Sequence, residues 1–211
     1  MVRDRSYIHA HGTGTPQNRV TESHIMNEMA KTFRIDRWPV AAIKSYLGHT
    51  LAPAAGDQIS SALGTWKYGI IPGIATIDHV ADDVHDSNLD ISPEHKDIDP
   101  TDTDIAFINS KGFGGNNATG LIFSPSVTRK MLKTRYGSRK IMAYDALNEK
   151  ISETADKYDQ ESSQGKITPI YHFGEGVLEG DDLGLASDEI KVPGFDKPIS
   201  LNLENPYEDM I

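Results

Sequence analysis

The chain has 211 residues, a formal charge of −10, 37% hydrophobic residues and no cysteine. That length suffices for one domain with a full core, or for a compact domain plus an extension, and no apolar run approaches a membrane span. The missing cysteines exclude a thiolate nucleophile or a thiolate metal ligand within the chain. The acidic balance argues against a nucleic-acid surface, and the polar start of the chain predicts a cytoplasmic protein.

Residues 6–10 (Ser-Tyr-Ile-His-Ala) read as a short buried strand, followed by a loop of turn formers, His11-Gly12-Thr13-Gly14-Thr15-Pro16. Met26, Met29, Ala30 and Phe33 fall at i, i+3, i+4 and i+7, which predicts a helix of about four turns starting between Asn18 and Thr21 and burying that stripe. Residues 39–43 form the next predicted strand, closed by Lys44-Ser45-Tyr46-Leu47-Gly48-His49. A second helix follows, with Pro53 in its first turn and Ile59, Ala62, Leu63 and Trp66 on its buried face.

A further strand is placed at 73–77, after Pro72. Residues 78–103 are polar and acidic, too long for an ordinary connection, and are expected to form a surface excursion with some local structure. Two short strands, 105–108 and 121–123, flank the loop Ser110-Lys111-Gly112-Phe113-Gly114-Gly115-Asn116-Asn117 and complete a mixed sheet. Three glycines around one aromatic suit a gate over a ligand, although a glycine-rich hairpin turn has the same composition. Residues 127–164 are predicted helical with a break near Gly137-Ser138, and 167–211 are short strands and turns such as Thr168-Pro169-Ile170-Tyr171-His172-Phe173. That last part has too few apolar residues for its own core and is expected to wrap another surface. The domains are therefore drawn at 1–124, an α/β domain, and 125–211, a helical and extended arm.

Charge is unevenly spread. Residues 82–104 hold nine acids and one lysine, residues 145–211 sixteen acids and five lysines, and residues 129–140 six bases and no acid. Asp78, His79, Asp82, Asp83, His85 and Asp86 offer oxygen and imidazole at short spacing, as a divalent-metal site of a hydrolase requires, but no ligand spacing repeats and a solvated loop is the preferred reading. The basic run Arg129, Lys130, Lys133, Arg135, Arg139 and Lys140 reads as a solvated face or as a docking site for an acidic partner.

His11 and His49 each follow a strand, and reactive groups in open α/β sheets gather at the carboxyl ends of strands, so both imidazoles can converge there. Two neutral imidazoles donating N–H groups would stabilise an oxyanion or an enolate, with Lys44 tuning their charge state. Read singly, each histidine is more often a structural or solvated side chain than a catalytic one.

Together, His11-Gly12-Thr13-Gly14-Thr15-Pro16, then Lys44 to His49 with Ala54-Ala55-Gly56 behind it, then Gly112 to Asn117, resemble the three C-terminal motifs of β-ketoacyl synthases, the condensing enzymes of fatty-acid and polyketide synthesis. The resemblance covers residues 6–124 and implies the second half of a thiolase-like fold, a mixed β-sheet with packed helices, here followed by an irregular C-terminal extension. It implies a decarboxylative Claisen condensation in which His11 and His49 stabilise the malonyl-derived enolate and Lys44 orients them. It also assigns substrate binding to Thr13, Thr15, Phe113, Gly114 and Gly115, with Phe113 gating the acyl pocket and lending its backbone N–H to the oxyanion hole. No cofactor and no metal are implied. The implied partners are an acidic acyl carrier protein, the N-terminal half with its nucleophilic cysteine, and a second copy in a homo-oligomer such as a dimer. Without that half the chain is expected to be inactive. A non-catalytic partner subunit or scaffold of a condensing enzyme is the alternative, and a metal-dependent hydrolase a third reading. The family's usual glutamate partner for the lysine is replaced at its place by Ile59, leaving Asp57 and Gln58 as candidates, and the usual aromatic before the glycine loop is Lys111.

Overall fold

The computed structural model describes residues 3–166, 169 and 171–202. Its centre is a five-stranded sheet in the order β4-β2-β1-β6-β7, built from β1 (Ser6–His9), β2 (Trp38–Ala41), β4 (Leu89–Asp90), β6 (Ile105–Lys111) and β7 (Asn117–Phe123). The first four strands run parallel and β7 pairs antiparallel with β6 from Ile105↔Phe123 to Lys111↔Asn117, so the sheet is mixed.

Alternation along the strands feeds two cores, as side chains on a pleated strand must point to opposite faces. One core joins Ile8, Ala10, Trp38, Val40 and Leu89 to Met26 and Ala30 of helix α1 (Pro16–Phe33). The other joins Tyr7, Ala41 and Ala106 to Ala62 and Trp66 of helix α3 (Ala54–Tyr68). Both buried indole N–H groups are satisfied, Trp38 donating to Ser6 Oγ at 3.1 Å and Trp66 to the Thr103 carbonyl at 2.8 Å. Between β2 and α3, residues 44–47 form the one-turn helix α2 (Lys44–Leu47).

The helices depart from the sequence reading in register. α1 begins at Pro16, because proline loses no hydrogen bond at the first helical position. Its buried face is Glu22, Ser23, Met26, Asn27 and Ala30, whereas Met29 and Phe33 are 40% and 51% exposed. The polar residues turn inward because they hold loops: Asn27 Oδ1 accepts from the Asn88 N–H at 2.8 Å and from Ser87 Oγ at 3.2 Å. α3 starts at Ala54, with Pro53 as the residue before it, and buries Gln58, Ala62, Thr65 and Trp66 while Ile59 and Leu63 stay 37% and 52% exposed.

The strand expected at 73–77 does not form. The extended pairing lies just before that stretch, with β3 (Ile70–Ile71) antiparallel to β5 (Lys96–Asp97). Pro72 follows, and Gly73 passes so close to the opposing backbone that a Cβ there would lie 2.3 Å from the Glu94 carbonyl oxygen. The chain then turns, Ile77 N–H bonding back to the Ile74 carbonyl. The second strand likewise ends at Ala41, since the Ser45 N–H takes the Ala42 carbonyl and starts α2. The acidic excursion carries the local structure expected of it, contributing β4, β5 and a 3-10 turn at Pro100–Asp102.

Beyond the sheet, helix α4 (Pro125–Tyr136) is capped by Ser124 Oγ accepting from the Val127 N–H, and Gly137 separates it from α5 (Ser138–Ser163), where the break was expected. A small antiparallel sheet, β8 (Gly184–Leu185), β9 (Glu189–Lys191) and β10 (Ile199–Ser200), follows. The strand-like stretch read at 168–173 falls partly outside the described residues. The chain divides into two compact units, Met1–Leu147 and Asn148–Ile211. No described residue of the second unit is buried. Among the described residues no helix is long and apolar enough to cross a membrane.

Candidate active site

β1, β2 and β6 run parallel, so the loops after them open on one edge of the sheet. The loop after β1 carries His11, and α2, after β2, starts at Lys44 and leads to His49. The ring of His11 stands edge-on to that of His49, with centroids 5.2 Å apart and planes 80° from each other. The two imidazoles, 38 positions apart by their numbers, are thus brought together.

Their surroundings differ. His49 is exposed, and its Nδ1 accepts the Leu51 backbone N–H at 3.0 Å, so a neutral His49 keeps its proton on Nε2 and presents a donor there. His11 is only 6% exposed, and its Nδ1 has no hydrogen-bond partner among the described residues. Burial lowers the pKa of His11, the Lys44 ammonium pushes the same way, and the Glu22 carboxylate opposes both. At neutral pH His11 is therefore an uncharged imidazole, able to give one N–H without the cost of a buried cation.

The loop that bears His11 is pinned through its backbone. Lys44 Nζ donates to the His11 carbonyl at 2.6 Å. Glu22 Oε1 accepts the His11 N–H at 2.6 Å, and Glu22 Oε2 accepts the Gly12 N–H at 3.0 Å. The same carboxylate takes Asn18 Nδ2 at 3.0 Å and Asn109 Nδ2 at 2.6 Å, so one side chain ties α1, the loop and β6. Gly12 is needed here: its φ is +62°, and a Cβ would come within 3.0 Å of Ala42 Cβ.

Glu22 was not singled out from the sequence. The available signal was its place four residues before Met26 on the inward stripe of α1, where an acid must be matched by donors to be buried. It also bears on the partner of Lys44. Burial lowers the Lys44 pKa, and the opposing influences are Glu22 first and Asp57 second. Of the two candidates named earlier, Asp57 acts on Lys44 through space while accepting the Thr50 hydroxyl. Gln58 is fully buried and serves elsewhere, donating to the carbonyls of Ala10 at 2.9 Å and Asn109 at 3.1 Å.

Thr13, Thr15, Lys44 and His49, but not His11, are among the residues lining a cleft of about 690 Å³, whose wall also includes Glu22 and Arg19 and the apolar Met26, Val40, Ile77, Val84 and Ile91. Phe113, Gly114 and Gly115 are not among its lining residues. They form a 3-10 turn at the tip of the β6–β7 hairpin, with Phe113 96% exposed. The root of that hairpin does reach the site, since the Lys111 ammonium is one of the charges that lower the His11 pKa.

The acidic loop is used for fastening. Asp83 accepts Arg19 Nε and Arg19 NH2, each at 2.8 Å, the His85 N–H donates to Ser23 Oγ, and Asp78 pairs with its neighbour His79 at 2.7 Å. Among the described residues no three His, Asp or Glu side chains converge as metal ligands.

Comparison with known proteins agrees with this architecture. Residues 2–78 match the family described as the C-terminal domain of β-ketoacyl synthases. The chain is 47% identical over 210 residues to the β-ketoacyl-[acyl-carrier-protein] synthase FabY of Pseudomonas aeruginosa, covering 100% of this chain and 33% of that protein. The crystal structure of that noncanonical ketosynthase superposes with a TM-score of 0.78, again over 100% of this chain and 33% of the other. The 3-oxoacyl-[acyl-carrier-protein] synthase 2 of Staphylococcus aureus is 36% identical over 127 residues, 57% of this chain and 28% of its own length. The chain thus spans about a third or less of these relatives. Motif order, sheet topology and these matches agree, and the chain carries a β-ketoacyl synthase C-terminal domain, the second half of a thiolase-like fold.

Proposed function

We propose that this chain is the C-terminal half of a 3-oxoacyl-[acyl-carrier-protein] synthase catalysing decarboxylative Claisen condensation in fatty-acid or polyketide synthesis. The observation that carries this reading is the His11–His49 pair, two imidazoles 5.2 Å apart, with His49 and Lys44 lining the cleft beside it. The relatives' names, both carrier-protein synthases, support it.

In the proposed reaction the bond between the malonyl carboxylate and its α-carbon breaks, CO2 leaves, and the electron pair moves onto the thioester oxygen as an enolate. His49 Nε2–H and the N–H of neutral His11 are the donors for that oxygen, and fixed donors in a dry site contribute about 3 kcal/mol each. The enolate carbon then attacks the acyl thioester, the new carbon–carbon bond forms, and the cysteine thiolate departs. Lys44 holds the His11 carbonyl, and its ammonium adds to the burial that keeps His11 uncharged. Thr13 and Thr15 line the approach of the thioester arm, and Phe113, Gly114 and Gly115 gate the acyl group, with the Phe113 N–H serving the acyl oxyanion.

The nucleophilic cysteine must come from outside these 211 residues, since the chain has none. Leu51, Ile59 and Leu63, exposed at 66%, 37% and 52%, supply an apolar face for the half that carries it. Supplied alone with acyl and malonyl carrier proteins, the chain yields no 3-oxoacyl product, and adding the cysteine-bearing half restores product by mass spectrometry. Turnover by the chain as the only protein would overturn the assignment.

A further inference from the structure

We propose that the basic face at the α4–α5 junction is the docking surface for the acidic acyl carrier protein, an inference that rests on the function proposed above. Residues 129–140 hold six bases and no acid in a chain of net charge −10. All six are exposed. Only Arg129 is neutralised by an ion pair among the described residues, with Asp145, whereas Lys133, Arg135, Arg139 and Lys140 have none.

The positive charge is also gathered about one ring. The Arg135 guanidinium carbon lies 5.4 Å from the Tyr136 centroid, and Lys140 Nζ, from the next helix, 5.8 Å from the same centroid. Gly137, between the helices at φ +79°, lets the chain turn so that both cations reach that ring. Met131, Leu132 and Tyr136 are 52%, 41% and 46% exposed beside these cations. An apolar centre with cations around it is the anatomy of a protein-binding patch, and charge complementarity sets its orientation and on-rate. A membrane or nucleic acid is a poorer fit for a chain of net charge −10, while a compact acidic domain needs only the local patch.

The test is a calorimetric titration of holo acyl carrier protein into the full 211-residue chain at low salt. The docking proposal predicts saturable binding that weakens roughly tenfold when salt is raised to screen the patch. Lys133→Glu/Arg139→Glu/Lys140→Glu should lower affinity by about tenfold or more, and the milder Lys133→Gln/Arg139→Gln/Lys140→Gln by several-fold. Lys150→Glu/Lys157→Glu, farther along α5, should leave it unchanged. Wild-type affinity in both triple variants, no binding by the wild-type chain, or preferential binding of phosphatidylglycerol vesicles would each overturn the assignment. Turnover of a carrier-free malonyl thioester by the restored synthase reads the chemistry separately. Loss of carrier binding with that turnover intact removes the docking surface alone; carrier binding at the patch without that turnover removes the condensation.

Discussion

Glu22 and Phe195 invert the usual rule about what a protein buries. In the sheet domain, Glu22 is 3% exposed and accepts four hydrogen bonds; in the arm, Phe195 and Phe173 are 74% and 95% exposed. A carboxylate can be buried where donors are arranged before it arrives, and an aromatic stays outside where no second layer of its own unit covers it. The difference separates a region organised to hold groups in place from a region organised to present surface.

The largest effect that would break this contrast is at Glu22. Glu22→Ala strands four donors, two of them on the backbone of the His11 loop, and should destabilise the chain by about 5 kcal/mol in urea unfolding, since each unmade buried hydrogen bond costs roughly 1–3 kcal/mol. A loss under about 1 kcal/mol would mean that the loop is not held by this side chain. Next comes packing: Trp66→Ala, in the α3 core and 7% exposed, should cost about 4 kcal/mol, whereas Phe195→Ala should change the stability of the isolated chain by less than about 0.5 kcal/mol.

A smaller effect concerns protons. His9 is fully buried in the sheet, and burial pushes its pKa down to about 4. The unfolded chain therefore binds a proton that the folded chain refuses, so stability falls as pH drops from about 6.5 to about 4, by roughly 3 kcal/mol in total. His11 contributes in the same direction. His9→Gln should flatten that slope, and an unchanged slope would assign the acid sensitivity to other groups.

Much of this molecule was legible in its residues. His11, Lys44 and His49 were read as one constellation, and the sheet brings them together; the two apolar runs around the glycine loop do form a hairpin. What escaped was half of each helix's inward face: Met26, Ala30, Ala62 and Trp66 are buried as read, but Met29, Phe33, Ile59 and Leu63 are exposed. Ile59 and Leu63 look like core by spacing, yet Gln58 and Thr65 occupy that place. Periodicity tells which residues are apolar, and it does not tell whether their cover comes from this chain or from another. Gln58 is inward because the carbonyls of Ala10, just past β1, and of Asn109 in β6 need a donor there, a requirement set by residues 48 and 51 positions away. The missing strand at 73–77 has a similar origin, since the close backbone of Glu94 is distant in sequence from Gly73.

The central claim is that His11 and His49 are the enolate's donors, and malonyl decarboxylation tests it most directly. With the cysteine-bearing half restored, His11→Ala and His49→Ala should each lower the rate of CO2 release from malonyl carrier protein by about 100-fold or more. Acylation of the cysteine should suffer less, because its charge develops at the acyl thioester. Decarboxylation that survives both substitutions while acyl loading fails would contradict the account.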